Sequence, residues 1–329
     1  MNTNYLVTVY MTVFNGEKFL RESIESILNQ TYSNFNLLII NDGSTDGSEA
    51  IIKSFTDPRI QYFANETNKG IVYSRNKALK EIKTKYTAVL DCDDISLPTR
   101  LEKQIHFMES NPDVTVCGTW ALMIDEKSTV FGHQIMPVTN KDFVNIEMLF
   151  RNQFVHSSTL FRTKIALESG GYQLGCEDFW LYSKISLRYK MANLPEFLTK
   201  YRIHNSNISS TNKIQINQNE LDVLKMLYSR FNLAEKYLNI PISIIKNDLS
   251  LIDNSIVYDF FTTLIDTNNK KLYYEKSSFN SVMFQYWYDI LLANKIRKGI
   301  FRFYLKSKKE KINFKSKQIK KIFKMKLGF

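Results

Sequence analysis

Strand and helix patterns alternate over the first hundred residues, and this alternation restricts the fold more than any other feature of the sequence. Runs of β-branched, aliphatic and aromatic residues, typical of buried strands, occur at residues 6–14, 35–40, 60–63 and 86–90. Between them, apolar residues recur at helical spacing, as at residues 17–30 and 70–82. This alternation predicts an α/β fold in which crossover helices flank a mainly parallel sheet.

Three polar loops directly follow these strands. They are VFNG at residues 13–16, NDGSTDG at residues 41–47 and DCDD at residues 91–94. Because ligands of open α/β sheets bind outside the carboxyl ends of the strands, we expect the three loops to converge at one site. The last loop holds Asp91, Asp93 and Asp94, and unpaired carboxylates are costly to bury. It therefore forms either a solvated turn or a site for a positive group.

The spacing of these carboxylates suits a divalent cation. Alternate side chains of an extended segment share a face, so Asp91 and Asp93 can point the same way. Two close carboxylates repel each other unless a cation or a hydrogen-bonded ligand lies with them. Mg²⁺ and Mn²⁺ prefer oxygen ligands and are often held by one or two carboxylates plus substrate phosphates. On the motif alone, helix-capping acids in a solvated turn remain the alternative.

Other polar residues could belong to the same site. Asp42 ends the second strand, where it accepts a base N–H or simply stabilises a loop. Glu177 and Asp178 begin an aromatic-rich helix. Either one of them is a catalytic base and the other caps the helix, or both are capping acids. In YRIH, Arg202 and His204 are either phosphate and metal partners or exposed polar groups.

The net charge of +11 is concentrated at the C-terminus. Residues 295–329 contain fourteen Lys and Arg against one acid, Glu310, so residues 1–294 carry a net charge of −2. Within residues 307–329, apolar side chains recur at helical spacing among lysines, at Ile312, Ile319, Ile322 and Phe323. A basic amphipathic helix suits an anionic membrane surface, and a solvated helix or a disordered end is the alternative. No nucleic-acid partner is expected, because the near-neutral body offers no basic groove.

Targeting and cysteine signals exclude several classes of protein. No stretch reaches 18 consecutive apolar residues, and residues 1–5 lack the regions of a signal peptide. Cys92, Cys117 and Cys176 are odd in number and widely spaced, which argues against a disulfide framework or a zinc site. We therefore expect a cytoplasmic chain that lies peripherally on the inner face of the cell membrane.

Seven segments, taken in order, resemble the family 2 glycosyltransferases of the GT-A fold. Together they cover about residues 5–210: VTVYMTVFNGEKFLRESIESILNQTYSNFNLLIINDGSTDGS, NKGIVYSRNKAL, YTAVLDCDD, FVHSSTLFR, GGY, CEDFWLYSKI and LPEFLTKYRIHNSNIS. The resemblance implies a Rossmann-like GT-A catalytic domain at residues 1–210. From about residue 211 the pattern becomes helical, which predicts a C-terminal helical region, residues 211–329, that ends in the basic amphipathic tail.

The resemblance also implies which residues bind the donor. Thr12 and Phe14 would line the nucleobase pocket, and Asp42 would read uracil. Arg75 would lie near the nucleotide, and Asp94 would contribute to the sugar pocket.

Metal binding and catalysis are assigned in the same way. The Asp-x-Asp motif consists of Asp91 and Asp93; Asp93 would bind Mn²⁺ or Mg²⁺ directly, with Asp91 nearer the ribose or a metal-bound water. His204 would be a further metal or diphosphate contact. Asp178 would be the catalytic base, with Glu177 beside it.

The resemblance thus implies a metal-dependent, inverting hexosyltransferase that uses a UDP-sugar. We expect its acceptor to be a lipid-linked glycan in the biosynthesis of a surface polysaccharide such as an O-antigen or capsule. A sugar nucleotidyltransferase is the first alternative, but no Gly-rich phosphate loop with Arg and Lys lies near the first strand. A catalytically silent nucleotide-sugar binder or membrane scaffold is the second.

Overall fold

The computed structural model describes residues 5–173, 175–205, 213–246, 248, 250, 252–294, 300–312, 318, 320 and 321. The chain divides into two compact units. The first is Met1–Val144 with Asn152–Asn219, and the second is Asn145–Arg151 with Glu220–Phe329. The boundary predicted between residues 210 and 211 lies outside the described residues and stays a prediction.

The first unit is built on one mixed sheet. Its strands are β1 (Val7–Val13), β2 (Phe35–Asn41), β3 (Ile60–Ala64), β4 (Tyr86–Val89), β5 (Ile95–Ser96), β6 (Val114–Ile124), β7 (Leu160–Arg162) and β8 (Lys190–Arg202). The spatial order is β3-β2-β1-β4-β7-β6-β8-β5. The four strands β3, β2, β1 and β4 are neighbours in this order and pair in parallel, and β6 and β8 also pair in parallel. Strand β7 pairs antiparallel with both β4 and β6, and β5 pairs antiparallel with β8. The predicted α/β class is confirmed, with antiparallel pairs confined to the later strands.

Six helices accompany this sheet in the described part of the first unit. They are α1 (Leu20–Leu28), α2 (Ser48–Lys53), α3 (Ile71–Glu81), α4 (Arg100–Ser110), α6 (Thr163–Glu168) and α7 (Glu177–Ser186), with a 3₁₀ turn at His156–Ser158. Helix α5 (Lys141–Glu147) begins in the first unit and ends in the second. The apolar stripe of α1 explains its packing: Leu20, Ile24 and Ile27 are fully buried in one core cluster with alternate β1 residues such as Val9 and Met11.

The second unit is helical. Its main helices are α8 (Lys213–Ser229), which begins in the first unit, α9 (Asn239–Ile245), α10 (Asn254–Lys271), α11 (Lys276–Ala293) and α12 (Ile300–Lys309). Aromatic rings form its core: Trp287 stacks on Phe261 at 5.5 Å and meets Phe303 edge-on at 5.0 Å. The side chains of Asp253 and Glu275 cap α10 and α11 by accepting amide hydrogen bonds.

Two predictions concern the membrane. In the part of the chain that the structure describes, none of the helices combines the length and the apolar character needed to cross a bilayer. The amphipathic tail predicted within residues 307–329 lies largely outside the described residues, since beyond Ile312 only Gln318, Lys320 and Lys321 are described.

Candidate active site

The three polar loops meet at one edge of the sheet, as the parallel register of β1, β2 and β4 requires. Asp42 joins two of them, because its amide donates to the Val13 carbonyl at 2.7 Å. Its buried carboxylate accepts hydrogen bonds from Asn65 Nδ2 at 2.7 Å and from the amides of Lys69 and Gly70 at 2.9 Å. Three of about four acceptor positions are thus used to hold the loop before α3, which leaves room for one further donor.

An exposed aromatic ring stands beside this loop. Phe14 directly follows β1 and is 47% exposed, although a ring of this size is usually buried. Thr12, at the end of the same strand, is partly buried. The edge of the sheet therefore exposes a flat apolar ring one residue after Val13, whose carbonyl accepts the Asp42 amide.

Arg75 of α3 bridges the two acidic motifs. Its guanidinium, only 4% exposed, donates from Nη2 to Asp91 Oδ1 at 3.0 Å and from Nη1 to Glu177 Oε1 at 2.6 Å. Asp91 also accepts from the Ser157 hydroxyl at 3.0 Å. Burial acts to raise the pKa of Asp91, but Arg75 and the other partners lower it below the ordinary value. Asp91 is therefore ionised and held rigidly from two sides.

Asp93 occupies a different environment. Its Oδ2 lies 2.9 Å from Nε2 of His204, and its pKa is raised by burial and then by the neighbouring charge of Asp91. Asp94 is buried, and its Oδ1 accepts the backbone amide of Arg202 at 2.8 Å. Burial and the two other carboxylates raise the pKa of Asp94 well above its usual range. The surroundings of this loop therefore disfavour the simultaneous ionisation of all three carboxylates.

This donor set fits a hard divalent cation. Among the residues that the structure describes, no group of three His, Cys, Asp or Glu side chains is arranged to enclose a metal on its own. Asp93, next to the imidazole of His204 and near the negative charge of Asp91, offers a partial site that substrate phosphates would complete. A cation there would relieve the repulsion that raises the pKa of Asp93.

Asp178 is a partly buried carboxylate with a raised pKa. It lies in the first turn of α7, where Oδ2 accepts from Asn152 Nδ2 at 2.9 Å and Oδ1 from the Phe179 amide at 2.7 Å. Burial and then the charge of Glu177 raise the pKa of Asp178 to about 6. A carboxylate with this pKa is ionised at neutral pH yet more basic than an exposed Asp.

Comparison with known proteins identifies the fold and the chemistry. Residues 8–187, more than half of the chain, match the family model for glycosyl transferase family 2. The chain belongs to glycosyltransferase family 2. It is similar to the O-antigen biosynthesis glycosyltransferase WbnJ of Escherichia coli, with 35% identity over 210 residues that are 61% of this chain and 80% of WbnJ. It is also similar to the Escherichia coli UDP-Glc:alpha-D-GlcNAc-diphosphoundecaprenol beta-1,3-glucosyltransferase WfgD, with 30% identity over 224 residues that are 67% of this chain and 86% of WfgD.

Solved structures support the same fold. Residues 1–349 of S. aureus TarS, in complex with UDP-GlcNAc, superpose with a TM-score of 0.58 over 88% of both chains at 15% identity. The mannosyltransferase PcManGT from Pyrobaculum calidifontis, with GDP-Man and Mn²⁺, gives a TM-score of 0.53 over 89% of this chain and 88% of that one at 13% identity. The prediction of a family 2 glycosyltransferase with a GT-A fold is confirmed, and the roles of individual residues stay predictions.

A polar cluster in this glycosyltransferase has no counterpart in the sequence-based prediction. The Tyr10 hydroxyl donates to the Tyr172 hydroxyl at 2.6 Å. The imidazole of His156 lies between two tyrosines: Nδ1 is 2.9 Å from the Tyr182 hydroxyl, and Nε2 is 3.4 Å from the Tyr10 hydroxyl. Burial and then Arg75 lower the pKa of His156 to about 3, so its imidazole is neutral. Arg75 lies 5.7 Å above the Tyr172 ring. The cluster combines β1, the 3₁₀ turn, the segment before α7 and α7 itself, so only the tertiary structure brings it together.

The structure contradicts one of the two sequence-based alternatives for Arg202. The side chain is fully buried, so it is not an exposed polar group, and its guanidinium contacts protein groups of the glycosyltransferase. Nε donates to the carbonyl of Asp93 at 2.7 Å. Arg202 therefore supports the loop that carries the predicted metal ligand.

Proposed function

We propose that this glycosyltransferase moves a hexosyl group from a UDP-sugar, with inversion, to a hydroxyl of a lipid-linked glycan during surface polysaccharide biosynthesis. One observation carries the proposal: Asp178, with its pKa raised to about 6, lies at the start of α7, apart from the loop of Asp93, and Arg75 links this helix start to that loop through Glu177 and Asp91. Inverting transfer needs a base and a leaving-group site at two separate places.

Asp178 would act on the acceptor. In a single displacement the carboxylate removes the proton of the acceptor hydroxyl while the oxygen attacks the anomeric carbon and the nucleotide diphosphate leaves from the opposite face. Asn152 and the Phe179 amide fix the orientation of the Asp178 carboxylate through one hydrogen bond to each oxygen. Glu177, held by Arg75, keeps the pKa of Asp178 raised by its charge.

The donor would bind along the β1, β2 and β4 loops. The exposed ring of Phe14 suits stacking of a base, and the remaining acceptor position of Asp42 suits the N–H of uracil. Asp93 and His204, with Asp91 nearby, would hold Mn²⁺ or Mg²⁺, which would supply Lewis-acid stabilisation for the leaving diphosphate. The UDP-sugar bound to TarS and the Mn²⁺ bound to PcManGT support this assignment.

The similarity to WfgD, which glucosylates alpha-D-GlcNAc-diphosphoundecaprenol, supports a lipid-linked acceptor. The similarity to WbnJ, an O-antigen biosynthesis enzyme, supports a role in surface polysaccharide biosynthesis. The fourteen Lys and Arg of residues 295–329 would hold the enzyme on an anionic membrane surface, at about 1 kcal/mol for each basic residue near the lipid. A peripheral position at the inner face of the membrane would bring the site to such an acceptor.

Calorimetric titration tests the donor assignment. We would titrate the full chain with UDP, GDP and dTDP, each with Mn²⁺ and again with EDTA, and compare wild type with Asp93→Ala. The control is Asp113→Ala, which removes a carboxylate that is 50% exposed and pairs with Lys190. We expect metal-dependent binding of UDP that Asp93→Ala abolishes and Asp113→Ala retains. If the folded protein bound none of the three nucleotides, the transferase proposal would fail and a scaffold role would replace it.

A further inference from the structure

The end of β8 and the residues just after it hold the loop at residues 91–94, called the donor loop from here on, at several points. The backbone amide of Arg202 donates to Asp94 Oδ1 at 2.8 Å, and its Nε donates to the Asp93 carbonyl at 2.7 Å. Two residues further along, His204 Nε2 lies 2.9 Å from Asp93 Oδ2. Arg202 therefore holds the backbone of Asp93, and His204, two residues beyond β8, contacts its carboxylate, so a shift of Arg202 would move both of these contacts.

The guanidinium of Arg202 is itself held by two other segments. Nη2 donates to Glu22 Oε2 of α1 at 2.6 Å. Nη1 donates to the Asp125 carbonyl and to Ser128 Oγ, both at 3.0 Å. The Ser128 hydroxyl in turn donates to the Glu22 carboxylate at 2.9 Å. Because the guanidinium is planar and its five donors are rigidly arranged, these acceptors fix its orientation.

The geometry points to Glu22 and Ser128 as positioning residues for the metal–diphosphate site, acting through Arg202 on Asp93. This inference rests on the proposed donor site. Neither residue lies in the polar loops identified from the sequence, and Glu22 and Arg202 are 180 positions apart. The Arg202 side chain is fully enclosed, so without the Glu22 carboxylate its charge loses an anionic partner and the guanidinium can shift. Residues that orient a metal ligand typically change metal affinity by about 10-fold to 100-fold when they are removed.

A neighbouring ion pair provides a matched control. Lys18 and Glu126 connect the same two segments, the start of α1 and the turn after β6, at 2.5 Å. Their side chains are 59% and 46% exposed, and the pair is a direct ion pair that does not include Arg202. Exposed pairs contribute little to stability, so removing it tests general loosening of these segments.

The experiment compares UDP binding by the full-length wild type, Glu22→Ala, Glu22→Gln, Ser128→Gly and the double variant Lys18→Ala with Glu126→Ala. Ser128 has a φ of 63°, so glycine removes its hydroxyl and accepts the same backbone. Each protein is titrated with UDP in Mn²⁺ and in EDTA, and its thermal unfolding is recorded. We expect Glu22→Ala and Ser128→Gly to raise the Kd in Mn²⁺ about 10-fold and to leave the Kd in EDTA unchanged. Glu22→Gln keeps an oxygen acceptor, so its Kd for UDP in Mn²⁺ should lie between the value of Glu22→Ala and that of wild type.

The outcomes separate the inference from the function on which it depends. If wild type binds UDP with metal but Glu22→Ala and Ser128→Gly match the control pair, the positioning role is wrong and the donor site stands. If the variants lose affinity equally in Mn²⁺ and EDTA, the residues act on the fold alone, which also overturns the inference. If wild type binds no UDP, the donor-site proposal itself fails.

Discussion

Arg75 and Glu177 form an ion pair of 2.6 Å although they are 102 positions apart in the sequence. The same guanidinium reaches Asp91 at 3.0 Å, so one buried cation connects the end of β4, helix α3 and the start of α7. The first turn of α7, which carries Glu177 and Asp178, and the loop that carries Asp91 are therefore held by the same side chain. Precise separation of reacting groups is what a single displacement requires.

Replacing Arg75 by Met should destabilise the fold strongly. The substitution leaves two carboxylates, Asp91 and Glu177, without their shared cation, and breaking a buried pair typically costs about 3–5 kcal/mol. Urea unfolding measures the change. Arg59→Met is the control, because Arg59 pairs with Asp57 at a site where both side chains are 23% exposed. This substitution should lower the free energy of unfolding by about 1 kcal/mol. Equal losses for the two variants would contradict a special role for Arg75.

Asp178→Asn should abolish most turnover and leave donor binding intact. The amide is nearly isosteric with the carboxylate and cannot accept the acceptor's proton, so we expect kcat to fall by about 10²–10⁴-fold. Release of UDP from a UDP-sugar in the presence of acceptor measures turnover, and calorimetry with UDP and Mn²⁺ measures binding. Glu168→Gln on the neighbouring helix α6, where the side chain is 51% exposed, is the control. Unchanged turnover in Asp178→Asn would remove this residue as the base.

The pH profile should report the same carboxylate. Burial and Glu177 raise the pKa of Asp178 to about 6, and only the ionised form can accept a proton. We therefore expect kcat/KM to rise with pH up to about 6 and then to level off. Glu177→Gln removes a like charge, which lowers the pKa of Asp178 and moves the rise to lower pH. An identical profile for wild type and Glu177→Gln would contradict this coupling.

Phe14→Ala should weaken nucleotide binding without lowering stability. The ring is 47% exposed, so little core packing is lost, whereas stacking of a base on an aromatic ring contributes about 1–3 kcal/mol. The Kd for UDP should rise by about 10-fold or more. Phe131→Ala, at a ring that is 41% exposed after β6, controls for the loss of an exposed aromatic. A similar Kd for wild type and Phe14→Ala would place the base elsewhere.

Removing residues 313–329 should reduce membrane binding. The deletion takes away six lysines, each contributing about 1 kcal/mol near anionic lipid. Sedimentation with vesicles that contain anionic lipid should show a loss of bound protein relative to the full chain, and added salt should weaken the binding of the full chain. Vesicles of neutral lipid are the control. Equal binding of both proteins to anionic vesicles would assign the tail another role.

The sequence by itself determined the elements of the parallel half of the sheet. Strands β1 to β4 and helices α1 and α3 fall within a few residues of the predicted ranges, because hydrophobic periodicity is a local property. The sequence also predicted where the acidic loops lie, since the carboxyl ends of parallel strands are at the same edge of a sheet. Ordered motifs then identified the family, which the family match confirms.

Only the tertiary structure decided which of these residues touch. The sequence treated Arg202 as a possible ligand contact, yet the pairing of β8 with β6 and β5 buries it against Glu22 and the donor loop. His156 similarly meets Tyr10 across 146 positions. Such contacts depend on the order in which strands pair, and the antiparallel strands β5 and β7 are too short to leave a periodic signal. Local periodicity therefore fixes the elements, while long-range pairing assembles the charged network that links them.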